Sequence, residues 1–280
     1  RVSTPWMLLA LALAVGCNEY ELSGNEYYET FQQTPSVAVD ILFVVDNSPS
    51  MVHEHAAVVQ GFGSFIGEVM ESESDFHIGV ITTDMESNEG GILLGETPWI
   101  STADPDYGHA FMEKIATVGI EGSGFEKGLQ AAKKALFDSP AGFGDTENEG
   151  FLRWDADLAI VAVSDENDCS DEGNLPDASD QEACYDHADM LVPVVNYIDG
   201  FRNLKTESRN VTFSAIVGPP VTDGCEDTKY GLRYLTVVTN LGGLKGDICQ
   251  TDWAEMMGDV GLIATGVDTW FALSHYPDPD

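Results

Sequence analysis

Three oxygen-bearing side chains, Asp46, Ser48 and Ser50, occupy alternate positions of the sequence DNSPS, directly after an apolar segment. Alternate residues of an extended turn point the same way, so these three can direct their oxygens at one point. A further acid, Asp165, follows the apolar sequence LAIVAV. Two carboxylates and two hydroxyls, without sulfur or imidazole, make a hard-oxygen set that suits Mg²⁺, Mn²⁺ or Ca²⁺.

The elements that must position these residues alternate between strands and helices. Apolar, β-branched runs predict four buried strands, and three- and four-residue apolar spacing predicts helices between them. The strands are predicted at Val37–Val45, Phe76–Thr83, Leu158–Val163 and Val211–Val217, and helices around 58–69, 125–136, Cys184–Leu204, Lys229–Leu241 and Trp253–Thr265. This alternation predicts an α/β fold with a doubly wound, mostly parallel central sheet and helices on both faces.

The DxSxS sequence after a buried strand resembles the metal-ion-dependent adhesion site of von Willebrand factor type A domains. The resemblance covers residues 37–268, nearly all of the folded chain, and implies a Rossmann-like fold. In that family the serines of DxSxS, a threonine on a second loop and an aspartate on a third hold a divalent ion. Counting back from Leu129 puts Ser123 at the threonine position. The implied ligands are Asp46, Ser48, Ser50, Ser123 and Asp165, with Mg²⁺ as the first expectation and Mn²⁺ or Ca²⁺ as alternatives.

The resemblance also implies a function. In the family the ion keeps an open coordination position, which an acidic side chain of a protein or surface ligand fills. We therefore expect a ligand-binding adhesion or interaction module and not an enzyme. The formal net charge of −36 opposes an acidic partner at long range, although the Debye length is only about 3 Å at 1 M salt. The alternative is a structural or scaffolding envelope lipoprotein that uses no metal.

Other interpretations of the motif give it a smaller role. The DNSPS sequence could simply cap the following helix, because Asp and Ser are favoured there and Pro is common in the first turn. A hydrolase built on Ser50 and His53 is disfavoured, since the sequence has no GxSxG. His53 and His55 are also two residues apart, so on a helix they point in different directions.

Two further acidic features are weighed against simpler explanations. The stretch 166–184 carries seven acids but lacks the twelve-residue calcium-loop spacing, so a solvated, disulfide-clamped loop is favoured over a second calcium site. Asp84 follows the second strand and could reach the metal site through water. A role in capping the turn is the favoured interpretation.

The N-terminal residues predict export. Residues 6–15 form an apolar run of ten, too short to span a bilayer but typical of a signal-peptide core. Ala14-Val15-Gly16-Cys17 resembles the lipobox of bacterial lipoproteins, with Cys17 as the lipidated residue after cleavage of residues 1–17. An ordinary signal peptide or an uncleaved anchor is the alternative. Residues 18–36 are predicted to be a flexible acidic tether, and 269–280 a tail that continues in a longer product. Asn18 after the cysteine favours the outer membrane or cell surface, reached through the lipid anchor alone.

Four cysteines remain in the exported part: Cys169, Cys184, Cys225 and Cys249. An even number in an oxidising compartment predicts disulfides. Of the three pairings that four cysteines allow, we favour the local ones, Cys169–Cys184 and Cys225–Cys249. A zinc site is disfavoured because the sequence contains no CxxC pair.

The composition excludes one class of partner. Acidic residues number 48 and basic residues 12, whereas nonspecific nucleic-acid binding requires Lys and Arg that neutralise phosphates. An acidic surface of this kind keeps proteins soluble in high salt. Adaptation to a saline habitat is our interpretation, and a merely acidic surface is the alternative.

Overall fold

The computed structural model describes residues 35–87, 90–137, 147–175, 183–206, 210–221, 225 and 228–267. All of them belong to one compact unit, Gln33–Ala272. The predicted signal segment with Cys17, all but the last two residues of the predicted tether, and the predicted tail lie outside the described residues.

Six strands form one sheet. They are β1 (Ala38–Val45), β2 (Asp75–Thr82), β3 (Trp99–Ser101), β4 (Asp157–Ser164), β5 (Val211–Val217) and β6 (Lys245–Asp247). Their order is β3-β2-β1-β4-β5-β6. Every pair is parallel except β2 with β3, which is antiparallel. The predicted α/β fold with a mostly parallel sheet is confirmed.

Helices cover both faces of the sheet. They are α1 (Val52–Glu71), α2 (Tyr107–Val118), α3 (Gly128–Phe137), α4 (Ala183–Asp186), α5 (Val194–Arg202), α6 (Leu232–Leu241) and α7 (Ala254–Ala264), with short 3₁₀ turns at Pro49–Met51 and Ala188–Met190. Helices α1, α2 and α7 pack with Ile41 and Phe43 on one face, whereas α3, α5 and α6 pack with Leu42 and Val44 on the other. Both faces of β1 are therefore buried, which explains its unbroken apolar sequence. Among the described residues, no helix is both long and apolar enough to cross a membrane.

The structure differs from the predicted elements at a few places. The single helix predicted over Cys184–Leu204 is wrong, because it is divided into α4, a 3₁₀ turn and α5. Pro193 lies at the N-cap of α5, where its fixed φ and missing amide hydrogen are compatible with a helix start but not with a helix interior. Strands β3 and β6 were not predicted, since three residues are too few to show an alternating pattern. Helix α2 was not predicted either.

Two acids lie at the point where the strand order along the chain reverses. The chain runs outward from β1 to β2 and β3, and then returns to β4 on the other side of β1. Ligands of doubly wound sheets bind outside the carboxyl ends of the strands at such a switch point. Asp46 follows β1 and Asp165 follows β4, so the fold delivers both to this edge.

A buried ion-pair network near the beginning of β1 ties the sheet to two other segments. Asp40 is fully buried and accepts a hydrogen bond from Arg153 Nε at 2.7 Å. Its second oxygen lies 3.3 Å from Lys205 Nζ and accepts from the Arg153 amide. Removing one partner of such a pair leaves a buried charge without a counter-charge. This lowers the free energy of unfolding far more than removing one partner of an exposed pair.

We expect Asp40→Asn to lower the free energy of unfolding by about 3–5 kcal/mol, because Lys205 and Arg153 lose their buried counter-charge. The matched control is Asp199→Asn, whose partner Arg202 is 3.4 Å away in an exposed pair and whose loss should cost at most about 1 kcal/mol. Urea denaturation of the purified chain measures both. Equal costs for the two variants would contradict a structural role for this network.

Candidate metal centre

Hydrogen bonds hold the loop after β1 in a fixed shape around Asp46, which is 0% exposed. Its amide donates to the Val163 carbonyl at 2.9 Å, and this contact joins the ends of β1 and β4. One carboxylate oxygen accepts from the Ser48 amide at 2.8 Å, and the other from the Ser164 hydroxyl at 2.6 Å. His55 Nε2 donates to the Asp46 carbonyl at 2.7 Å. Burial raises the pKa of Asp46, and the bonds from Ser164 and Ser48 oppose that shift.

The two serines of DxSxS do not act as helix caps. Ser48 is the N-cap of the 3₁₀ turn and Met51 that of α1, yet neither side chain makes a capping hydrogen bond. Instead, the hydroxyls of Ser48 and Ser50 lie 3.0 Å apart. Because neither hydroxyl caps a helix, both are available to a ligand at this edge of the sheet. The structure therefore does not support the interpretation of DNSPS as a simple helix cap.

Asp165 joins this group from the end of β4. Its side chain is only 4% exposed, and the neighbouring Ser50 side chain lowers its pKa. Its Oδ1 atom is buried and has no hydrogen-bond partner within the described ranges. Burial, followed by the negative charge of Asp46, raises the pKa of Asp165 to about 7. The structure thus brings Asp46, Ser48, Ser50 and Asp165 together.

Ser123 is bound into its own loop. Its hydroxyl accepts a hydrogen bond from the Phe125 amide at 3.0 Å, and its amide lies 3.4 Å from an Asp84 carboxylate oxygen. Neither contact joins it to the other four predicted ligands. The loop itself does reach the DxSxS segment, because the Gly122 amide donates to the Asn47 carbonyl at 2.8 Å. A side chain at Gly122 would collide with that of Asn47, so this approach requires glycine.

Glu126, in the same loop, is the residue that the sequence interpretation missed. It is 1% exposed, and burial followed by the negative charge of Asp46 raises its pKa to about 10. The charges of Glu166 and Asp165 act in the same direction. In the sequence, Glu126 looks like any charged residue before an amphipathic helix. The one available signal was its position two residues before the helix start at Gly128.

Buried oxygens without partners accumulate at this edge of the sheet. Within the described segments, five such side-chain atoms lie on its loops and on the first turn of α1: Asn47 Oδ1, Glu54 Oε2, Thr83 Oγ1, Glu126 Oε1 and Asp165 Oδ1. A buried oxygen without a donor costs about 1–3 kcal/mol, and more when it is charged. All five can accept, and Thr83 Oγ1 can also donate, so a proton or a cation would compensate the carboxylate oxygens among them. The donor set therefore fits a hard divalent ion.

The described carboxylates alone nevertheless do not form a complete set of metal ligands. In the part of the chain that the structure describes, no group of three or more His, Cys, Asp or Glu side chains is placed so that it could hold a metal ion alone. An ion here would depend on the hydroxyls of Ser48 and Ser50 as well as on carboxylates. Each oxygen of Asp46 already accepts one hydrogen bond, so Asp46 would have to use its remaining lone pairs to contact an ion or a water molecule bound to it.

The neighbouring acids have structural roles. Asp84 accepts from the amides of Glu86 at 2.7 Å and Ser87 at 3.2 Å, as expected of a turn cap. The loop after Glu166 is clamped by a disulfide as expected, and residues 172–174 are exposed, but residues 168–171 are buried and not solvated. Asp168 accepts from the Leu129 amide at 2.9 Å and from Arg233 Nε at 2.9 Å, so it fastens the start of α3 to α6.

Both predicted disulfides are present. Cys169 pairs with Cys184, and Cys225 with Cys249. The first pair clamps the loop after β4 beside Asp165 and closes 15 residues, and a loop of that length corresponds to a stabilisation of about 3 kcal/mol. The loop that carries Asp165 is therefore covalently restrained.

Comparisons with known proteins give distant structural likenesses. No family model and no curated protein matches the chain. Two crystal forms of proximal thread matrix protein 1 from the mussel byssus align with 82% of the chain at 12% and 11% identity and a TM-score of 0.41. An aerotolerance-related membrane protein from Bacteroides fragilis, with multiple mutations to serines, aligns over 82% of this chain and 100% of its own at 11% identity and a TM-score of 0.40. The chain spans about half the length of the mussel protein, 49% and 48% in the two forms. The assignment of the fold class therefore rests on the strand order of this chain itself.

The raised pKa values predict how the stability of the metal-free chain depends on pH. The pKa rises on folding from 3.8 to about 7 for Asp165 and from 4.5 to about 10 for Glu126. The folded state then binds more protons than the unfolded state. Its stabilisation is complete below about pH 4 and is lost as the pH rises through 7 towards 10.

In chelator at pH 8, we expect Glu126→Gln to raise the free energy of unfolding by at least about 1.4 kcal/mol, the equivalent of one pKa unit. At pH 4.5 the variant and the wild type should be nearly equal, because Glu126 is then about half protonated in the unfolded state as well, so folding takes up little additional proton. Glu121→Gln changes an exposed acid on the same loop and should have little effect at either pH. Urea denaturation at the two pH values is the measurement, and a gain that is the same at both would refute the assignment.

Proposed function

We propose that this chain is an exported interaction module that holds a divalent cation at the carboxyl edge of its sheet and binds a protein or surface ligand there. It is not an enzyme. The observation that carries the proposal is the cluster of buried acceptor oxygens without donors beside Asp46, Ser48, Ser50 and Asp165. Such a cluster costs stability unless protons or a cation compensate it, and the proposal is that a cation does so when the chain binds its ligand.

The chemistry of the site gives each residue a role. Ser48 and Ser50 offer neutral hydroxyls, and Asp165 offers a carboxylate oxygen with no other partner. Asp46 holds the loop in place through the Ser48 amide and the Ser164 hydroxyl. When bound, the ion would supply a positive charge that accepts an oxygen ligand from a partner. The resemblance of DxSxS to the adhesion site of von Willebrand factor type A domains supports the same interpretation.

Export and anchoring are part of the proposal. Two disulfides fit an oxidising compartment. The lipobox-like sequence before Cys17 favours a lipid anchor at the outer membrane or cell surface. Cys17 lies outside the described residues, so this part rests on the sequence.

A metal-independent scaffolding protein is the second candidate. It is favoured by the finding that, in the described ranges, no three His, Cys, Asp or Glu side chains could hold an ion by themselves. In that case the carboxyl groups at the edge would stay protonated, and partners would bind without any cation.

Mg²⁺, Mn²⁺ or Ca²⁺ should raise the melting temperature of the purified chain by several degrees. A ligand at 100 times its Kd stabilises the folded state by about 2.7 kcal/mol. The double variant Ser48→Ala/Asp165→Asn should lose this rise because it lacks one hydroxyl and one carboxylate of the site. Differential scanning calorimetry with metal and with chelator measures the effect.

The control for this experiment is Ser64→Ala/Asp199→Asn, which makes the same two changes in α1 and α5, away from the site. It should respond to metal as the wild type does. If the wild type shows no rise at millimolar metal, the scaffolding candidate is favoured. A rise that persists in Ser48→Ala/Asp165→Asn would move the binding site elsewhere.

Partner binding should depend on the ion. With the immobilised chain as bait, we expect envelope or surface components to be retained in divalent metal and released by chelator. Asp165→Asn bait should retain them in neither buffer, whereas Asp199→Asn bait should behave as the wild type. Retention that ignores both chelator and Asp165→Asn would contradict metal-dependent adhesion.

A further inference from the structure

Glu126 is held firmly at the centre of the candidate site. Its backbone forms an antiparallel bridge with Asp84 on one side. On the other side, its carbonyl accepts from the Cys169 amide at 2.7 Å. The residue therefore lies between the loops that follow β2 and β4, above the end of β1. These two contacts fix the position of the Glu126 backbone between the two loops.

One oxygen of the Glu126 side chain has no hydrogen-bond partner among the described residues. The residue is 1% exposed, and this oxygen is its Oε1 atom. It lies close enough to Asp46 and Asp165 for their charges to act on it. The next residue, Lys127, forms ion pairs with Glu86 and Asp171. A carboxyl group buried among other acids must either stay protonated or be balanced by a cation.

The hydroxyl of Ser123, by contrast, is already occupied. It accepts from the Phe125 amide at 3.0 Å. To bind an ion it would have to give up that hydrogen bond or use its other lone pair. Of the polar side chains on this loop, Glu126 is the one that combines burial, a free oxygen and proximity to Asp46 and Asp165.

We propose that Glu126, and not Ser123, is the ligand that this loop contributes, and that the site therefore takes Ca²⁺ in preference to Mg²⁺. This inference rests on the proposed function, namely that the carboxyl edge binds a divalent cation. It departs from the Mg²⁺ expected from the sequence, because this loop would contribute the carboxylate of Glu126 instead of the hydroxyl of Ser123.

The preference follows from the charge and number of ligands. Ca²⁺ accepts about six to eight oxygens in flexible geometry, and its affinity rises with the number of charged ligands. Mg²⁺ requires nearly ideal octahedral geometry, keeps several waters and usually binds one or two carboxylates. Glu126 and Asp165 each offer a free oxygen. Asp46 adds a third negative charge close to Glu126, although no three such side chains in the described residues form a metal-binding group by themselves.

Isothermal titration calorimetry of the chelator-stripped full chain with Ca²⁺ and with Mg²⁺ tests this inference. The wild type should bind Ca²⁺ at least about tenfold more tightly than Mg²⁺. Glu126→Gln should weaken Ca²⁺ binding at least about tenfold, since the loss of even an outer-shell partner costs 10–100-fold. Glu121→Gln, on the same loop but exposed, should leave both affinities unchanged. Circular dichroism confirms that each variant is folded, and Glu126→Thr replaces Glu126→Gln if the latter does not fold.

The outcomes separate this inference from the proposed function. Metal binding by the wild type that is unchanged in Glu126→Gln and Glu126→Thr would overturn the role of Glu126 and leave the metal site intact. A wild type that prefers Mg²⁺ would overturn the ion assignment. A wild type that binds neither ion would overturn the proposed function itself.

Discussion

Burial of carboxyl groups at one edge of the sheet is the constraint on which the rest of the structure depends. Asp46, Asp165 and Glu126 are each at least 96% buried, and two of them carry an oxygen without a partner in the described residues. Burying such groups costs several kcal/mol unless a proton or a cation compensates. Backbone bonds between the ends of β1 and β4, glycine at position 122 and the Cys169–Cys184 disulfide hold the three loops in this costly arrangement.

Two other buried acids of the fold are paired with basic side chains. Asp40 is paired with Arg153 and Lys205, and Asp168 with Arg233. These acids join segments that are distant in the sequence, and their charges are balanced by the protein itself. With only 12 basic residues against 48 acidic ones, counter-charges are scarce, yet they are present at these structural positions. Among the described residues, Asp165 Oδ1 and Glu126 Oε1 have no such partner.

The sequence predicted those parts of the site that depend on regular structure. Asp46 and Asp165 follow long buried strands, and parallel strands bring such residues to one edge. The loop before α3 has no periodicity, so counting back from Leu129 led to Ser123. A buried Glu126 cannot be distinguished in the sequence from an exposed one, because its burial comes from the loops after β2 and β4. The two disulfides were predictable because local pairing closes short loops.

The charge of the site also bears on the kind of partner it accepts. A divalent ion held mainly by hydroxyls keeps most of its positive charge and attracts a carboxylate from a partner. With Glu126 added to Asp46 and Asp165, three negative charges face two positive ones, and the occupied site stays negative. The attraction for an acidic partner is then lost, in keeping with a surface of net charge −36 that repels such partners already. Neutral oxygens, such as carbonyls or hydroxyls, complete the coordination of Ca²⁺ without that repulsion, so the acidic surface and a metal-dependent contact no longer oppose each other.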